Sequence, residues 1–190
     1  MKKILCILLL LLTGCSSKTS MIEIQKHVYV EKEFKDSWLE TNEFGDSYIK
    51  EELQGGYHYH FDQQFLEIFF NTGGKIELYN YSIKKNDLII SGEMISPKTI
   101  RLVHPHLDNV TSEGVIIHEL GHYFDEKHQF SSSKQFTKLY KKYRTLFNQK
   151  TKKEYFAECF KEYVGGHQEK VKPFHSYMKT ITQKIRQKNK

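Results

Sequence analysis

The spacing of apolar residues changes once along this chain. Up to about residue 103 apolar and polar positions tend to alternate. Beyond Asp108 the apolar positions recur every three or four residues. Period two predicts strands and a period near 3.6 predicts helices. Residues 27–30 (His-Val-Tyr-Val) read as a short strand. Residues 75–83, residues 88–95 and Thr99–Val103 read as three more, with Lys84-Lys85-Asn86-Asp87 as a hairpin turn. In the first of these three, Ile76, Leu78 and Asn80 alternate with Glu77, Tyr79 and Tyr81, which leaves its core-facing side open. Between the strands, residues 31–52 show weak helical spacing through Phe34, Trp38 and Leu39. Asp62 is placed to cap a helix carrying Phe65, Leu66, Phe69 and Phe70, closed by Gly73-Gly74. Strands first and helices afterwards predict an α+β domain, a small mixed sheet followed by a helical part.

Four helices are expected in that second part. Ile116, Ile117, Leu120 and Phe124 form one stripe, with Thr111 or Ser112 as cap. Ser131-Ser132-Ser133 precedes a helix with Phe136, Leu139, Tyr140, Tyr143, Leu146 and Phe147 inward. Residues 154–164 carry a broad apolar face ended by Gly165-Gly166. Pro173 opens a last helix with Phe174, Tyr177, Met178, Ile181 and Ile185 inward.

The N-terminus stands apart from this pattern. Met1-Lys2-Lys3 is a short basic head before a nine-residue apolar run from Ile4 to Leu12, too short for the ~20 residues that span a bilayer. It reads as the core of a signal peptide, and Leu12-Thr13-Gly14-Cys15 resembles the lipobox of bacterial lipoproteins. That resemblance implies removal of residues 1–14 and a lipid on Cys15. It also implies a tether over 15–25, a single domain over 26–190, and a place on the outer face of a bacterial cell membrane. Cys6 would leave with the signal and Cys15 would be acylated, so Cys159 alone keeps a thiol and no disulfide can form. A buried, inert thiol is expected there. With 14% aromatic residues and 3 prolines the chain is neither disordered nor collagen-like, and its single apolar run excludes a polytopic membrane protein. The formal net charge of +6 is scattered and implies no nucleic-acid partner.

Residues 118–122 read His-Glu-Leu-Gly-His. A His-Glu-x-x-His match arises by chance in roughly one shuffled chain in twenty of this composition, so context must decide. Here the helical spacing places His118 and His122 one turn apart, opposite the apolar stripe. Two such imidazoles can hold one Zn²⁺ at ~2.0–2.1 Å each. A catalytic zinc needs a third protein ligand and an open position. Glu154 and Glu158, one turn apart on the border of the next helix's apolar face, are both placed to supply it. The other can then accept the free N–H of a ligand histidine.

His-Glu-x-x-His-x-x-Asp followed by Glu-Tyr-Phe-Ala-Glu-x-Phe resembles the catalytic domain of anthrax lethal factor and its relatives, which include the clostridial Pro-Pro endopeptidases. The resemblance covers roughly residues 99–180. It implies a gluzincin-type zinc endopeptidase with one Zn²⁺ per chain, held by His118, His122 and Glu154, with Glu119 as general base. It further implies that Glu158 supports a ligand and that Asp125 orients a ligand histidine. Glu154 in the helix's first turn, where a carboxylate is kept ionised, fits that assignment. Thr99–Val103 matches the strand bordering the cleft, with an edge able to pair with an extended peptide. The expected partners are a protein or peptide substrate and membrane lipid through Cys15, on a monomer. One position departs from the family. Phe147 stands where relatives carry an oxyanion-stabilising tyrosine, with Tyr143 and Tyr155 as substitutes. That departure motivates a second expectation, a zinc-stabilised surface binding module with weakened or lost catalysis. His58, His60, His104 and His106 have metal-like spacing but no third partner, and are expected at the surface.

Overall fold

The computed structural model describes residues 20–41, 47–81, 83–85, 88–104, 114–149 and 151–189. Five strands form the main sheet: β1 (Met21–Gln25), β2 (Val28–Glu31), β3 (Lys75–Tyr79), β6 (Gly92–Ser96) and β7 (Thr99–Val103). Their spatial order is β1-β2-β3-β7-β6. The three inner strands run parallel, and β1 and β6 close the two sides antiparallel. Val28, Val30, Ile76, Leu78, Ile100 and Leu102 all turn to one face and are buried. This settles the open question in β3, because Ile76 and Leu78 stand opposite Ile100 and Leu102. A separate hairpin pairs β4 (Ile83–Lys85) with β5 (Leu88–Ile90), Lys85 opposite Leu88. A hairpin therefore exists, but Lys84 and Lys85, expected in its turn, belong to β4. Asn86 and Asp87 lie outside the described residues, and the strand expected over 75–83 ends at Tyr79.

Three expectations need correction here. Met21–Gln25, read as tether, is a strand of the sheet whose Ile22 and Ile24 pack against the core. Residues 88–95 are not one strand. The chain changes sheet at Ser91, whose carbonyl accepts the Val103 N–H at 2.8 Å. Lastly, Thr99–Val103 is an interior strand with both edges paired, and among the described residues β6 is the outermost strand on that side.

Helices α1 (Lys35–Leu39), α2 (Tyr48–Gln54) and α3 (Gln64–Asn71) connect β2 to β3. Asp62, expected to cap α3, lies one residue before the N-cap Gln63, which has no side-chain cap bond; its carboxylate accepts the Gln64 N–H at 3.0 Å. The helical part consists of α4 (Val115–His128), α5 (Lys134–Tyr143), α6 (Lys152–Val164) and α7 (His175–Gln187). Ser133 and Thr151 cap α5 and α6 by accepting the N–H three residues on. The proposed caps of α4, Thr111 and Ser112, lie outside the described residues. The residue entering that helix is Gly114 with φ +72°, a left-handed conformation that glycine adopts without strain. Leu146 falls beyond the end of α5 and is exposed rather than inward. No helix among the described residues is long and apolar enough to cross a membrane, and the signal segment and Cys15 lie outside them.

Helix α4 is the centre of the molecule. Ile116, Ile117, Leu120 and Phe124 are fully buried, and so are Tyr155, Phe156, Cys159 and Phe160 of α6. Phe65, Phe124 and Phe160 meet edge to face or tilted, with centroids 5.3–5.8 Å apart. Such offset aromatic contacts add ~0.5–1.5 kcal/mol beyond area burial. The two helices approach most closely at Gly121. A Cβ there would lie 2.9 Å from the Ala157 Cα and 3.2 Å from its carbonyl. A side chain on Gly121 must push backbone against backbone, which typically costs ~1–3 kcal/mol or more. Gly121→Val is expected to lower the free energy of unfolding by at least that much in a denaturant titration. A conservative surface change on α7, such as Lys179→Gln, should leave it within ~0.5 kcal/mol.

Candidate metal centre

The contact of α4 with α6 places the chemical residues of both helices together. His118 and His122 leave α4 on the side opposite the buried stripe, with ring centroids 4.9 Å apart. Thr151 starts α6 so that Glu154 lies in its first turn, facing them. Glu154 Oε2 lies 3.2 Å from His118 Nε2 and 3.3 Å from His122 Nε2. One ligand atom from each of the three residues falls within 4.8 Å of the others. Ligands ~2.0–2.1 Å from a tetrahedral Zn²⁺ are separated by about 3.3 Å, so the two measured edges match that geometry. The three residues could hold a metal ion, and a set of two imidazoles and one carboxylate suits a transition metal better than calcium or magnesium, which take oxygen ligands.

The electrostatics favour a cation at this point. Burial alone would push the His118 imidazole below its ordinary value. The carboxylates of Glu154, Glu158 and Glu119 overcome that and raise it to about 9. Glu154 is held well below the usual carboxylate range, chiefly by its bonds to His118 and His122. His118 Nδ1 donates to Glu158 Oε2 and its Nε2 to Glu154 Oε2, each at 3.2 Å, as the raised pKa of the ring requires; a metal ion held here would replace the Nε2 proton. Glu158 thus stands against a histidine.

Glu119 is buried beside the two histidines. Burial raises its pKa above the usual value, the neighbouring His118 and His122 lower it, Glu154 raises it, and the main-chain N–H of Met94 bonds its carboxylate. The outer strand β6 is therefore in direct contact with the acid of the motif. A cavity of about 750 Å³ opens in front of these groups, walled by Ile90 to Met94, the His118–His122 face, Glu154 and the ends of both helices.

Asp125 is the site residue that the structure places differently. Its carboxylate accepts the N–H and the O–H of Ser131, at 2.6 and 2.7 Å. No bond joins it to His118 or His122, and it fastens the turn that follows α4. Neither substitute tyrosine reaches the cleft. Tyr155 is fully buried and donates to the Tyr143 carbonyl at 2.5 Å, while the rings of Tyr143 and Phe147 pack on Phe174 and Tyr155. The cavity wall near Glu154 carries Gln149 and Lys153 instead, two donors that the sequence reading passed over. Cys159 is buried, and burial pushes its thiol well above the ordinary value, as an inert core cysteine requires. Of the other histidines, His58 and His60 are exposed, and His106 lies outside the described residues. His104 is buried, contrary to expectation, against Trp38 and Tyr48 with Nε2 3.1 Å from the Ser37 carbonyl. No family model matches the chain, and no curated protein matches it.

Two outcomes follow from this geometry. Glu154→Ala should purify nearly free of zinc, whereas Glu158→Ala should retain zinc with affinity reduced ~10–100-fold in a competitive chelator titration. Asp125→Ala breaks two charge-assisted bonds to Ser131, each worth ~1.5–3 kcal/mol. A drop of that order is expected in unfolding free energy, with zinc affinity changed less than in Glu158→Ala.

Proposed function

We propose that the protein is a zinc-dependent endopeptidase of the gluzincin type, similar to the lethal factor-like metallopeptidases. The observation that carries this reading is the convergence of His118, His122 and Glu154 beside the buried acid Glu119, at the back of a cleft flanked by the outermost described strand of the sheet. Zinc, when bound by those three residues, supplies Lewis acidity that polarises a peptide carbonyl and lowers the pKa of water to ~7. Glu119, whose pKa burial raises, accepts a proton from the attacking water and delivers it to the leaving amine. Its bond from the Met94 N–H ties the carboxylate to β6. An extended peptide can add beside β6, since that strand lies at the margin of the sheet among the described residues and forms part of the cavity wall.

The lipobox-like Leu12-Thr13-Gly14-Cys15 adds a location to this reading, a lipid-anchored monomer on the outer face of a bacterial membrane that acts on peptides or proteins and not on nucleic acid. A second reading, a zinc-stabilised binding module of the same fold, is favoured by one feature. None of the residues described around the cavity is a tyrosine, so the family's oxyanion donor has no counterpart there. Loss of one such donor typically costs ~10²–10³ in rate.

A peptide library incubated with the protein, with and without chelator, separates the two readings. Cleavage that chelator abolishes is expected of the endopeptidase, and absence of any cleavage by zinc-loaded protein leaves the binding module. Within the first reading, Glu119→Gln should keep its zinc and lose ~10²–10⁴ in turnover. Unchanged turnover would remove Glu119 from the mechanism.

A further inference from the structure

Glu158 has two carboxylate oxygens, and the histidine uses one. The other, Oε1, accepts from Lys161 Nζ at 2.7 Å. Lys161 is itself confined. Its side chain is 16% exposed and its ammonium lies over the Tyr59 ring, 5.8 Å from the centroid. Its Cδ lies so near Gly114 that a Cβ there would come within 2.9 Å of it. Its Nζ also faces Glu162 Oε1 at 3.8 Å. Glu162 is buried and fixed in turn, because Tyr59 Oη donates to it at 3.1 Å and His167 Nδ1 and Lys170 Nζ lie 3.0 and 3.1 Å from its other oxygen. A lysine normally loses rotamer freedom when it forms an ion pair. Here the glycine, the ring and the second carboxylate have already confined it.

We propose that Lys161 is a positioning residue of the metal centre, which acts on His118 through Glu158. The ammonium holds the Glu158 carboxylate at the angle at which its other oxygen takes the His118 Nδ1 proton. The ring is then fixed with Nε2 toward Glu154 and His122. Glu162 balances the lysine's charge and keeps its Nζ from swinging into the cleft, whose wall Lys161 helps to form. This inference rests on the metal-centre reading above.

Its test uses the sign of an electrostatic effect. Coulomb repulsion alone says that removing a cation near a divalent ion tightens binding of that ion. A positioning role says the opposite, because a loosened Glu158 no longer fixes the imidazole, and outer partners of ligand histidines are worth ~10–100-fold in affinity. Zinc affinity of the full chain is measured by competitive chelator titration for the wild type, Lys161→Met and Lys161→Arg, together with the thermal midpoint of each protein after chelation. Lys161→Met is expected to bind zinc on the order of 10-fold more weakly, and Lys161→Arg, which keeps a charged donor, within about threefold of wild type. Should Lys161→Met fail to fold, Lys161→Gln carries the same comparison. Equal or tighter zinc binding by the uncharged variant overturns the inference while leaving the metal centre intact. So does a loss that Lys161→Arg shares in full. A wild type that binds no zinc in the same titration removes the metal-centre reading itself.

Discussion

The approach of α4 to α6 at Gly121 is the constraint on which the rest depends. With no side chain at that point, the two helices settle against each other closely enough for residues one turn either side to meet across the gap. His118 and Glu158 then fall within bonding distance, as do His122 and Glu154. A helix pair held one residue diameter further apart would still bury its phenylalanines, but its imidazoles and carboxylates would no longer share one point. The buried aromatic contacts and the polar cluster are thus two sides of one interface. The apolar side provides the burial energy, and the small residue at the crossing sets the distance.

The fold was legible wherever local pattern decides. The apolar stripes of α4, α6 and α7 are properties of neighbouring residues, and the structure buries those residues as the pattern says, Tyr163 of α6 only in part, whereas β7 is buried on both faces. Helix α6 could be read down to Glu154, since its acids sit at fixed offsets from its aromatic face. Legibility failed where the answer depends on what lies opposite. Ile22 and Ile24 alternate with polar residues like any strand, yet five residues after a Ser- and Thr-rich stretch read equally well as tether until β2 is seen beside them. The Ser91-Gly92 pair was the available signal for the change of sheet, since an isolated glycine inside a strand pattern marks a bulge or a close approach, and a Cβ at Gly92 would lie 2.6 Å from Val115 Cγ1.

The site divides in the same way. The spacing of His118, Glu119 and His122 fixes their relation to each other within one helix. Asp125 shares that helix, and the resemblance implied that it orients a ligand histidine. Its partner is chosen by the turn after α4, which brings Ser131 back over the carboxylate. A buried carboxylate bonds whichever donors the fold brings within reach. The tyrosine question has a similar cause. Tyr143 and Tyr155 are close in sequence to the ligand, yet both face the core, because α5 and the start of α6 pack their aromatic sides against Phe174.

The place of β6 at the margin of the sheet, among the described residues, has a consequence beyond the cleft. An unpaired strand edge attracts any extended chain, including the same edge on another copy of the molecule, and long flat edges of this kind seed aggregation. The edge here is five residues long, loses register between Met94 and Ser96, and carries Glu93 bonded to Arg101 at 3.3 Å. Shortness, a kink and a charge each hinder sheet-to-sheet stacking, while a single flexible strand can still follow the irregular path. The same strand can therefore stay available to one kind of visitor and remain a poor template for its own duplicates.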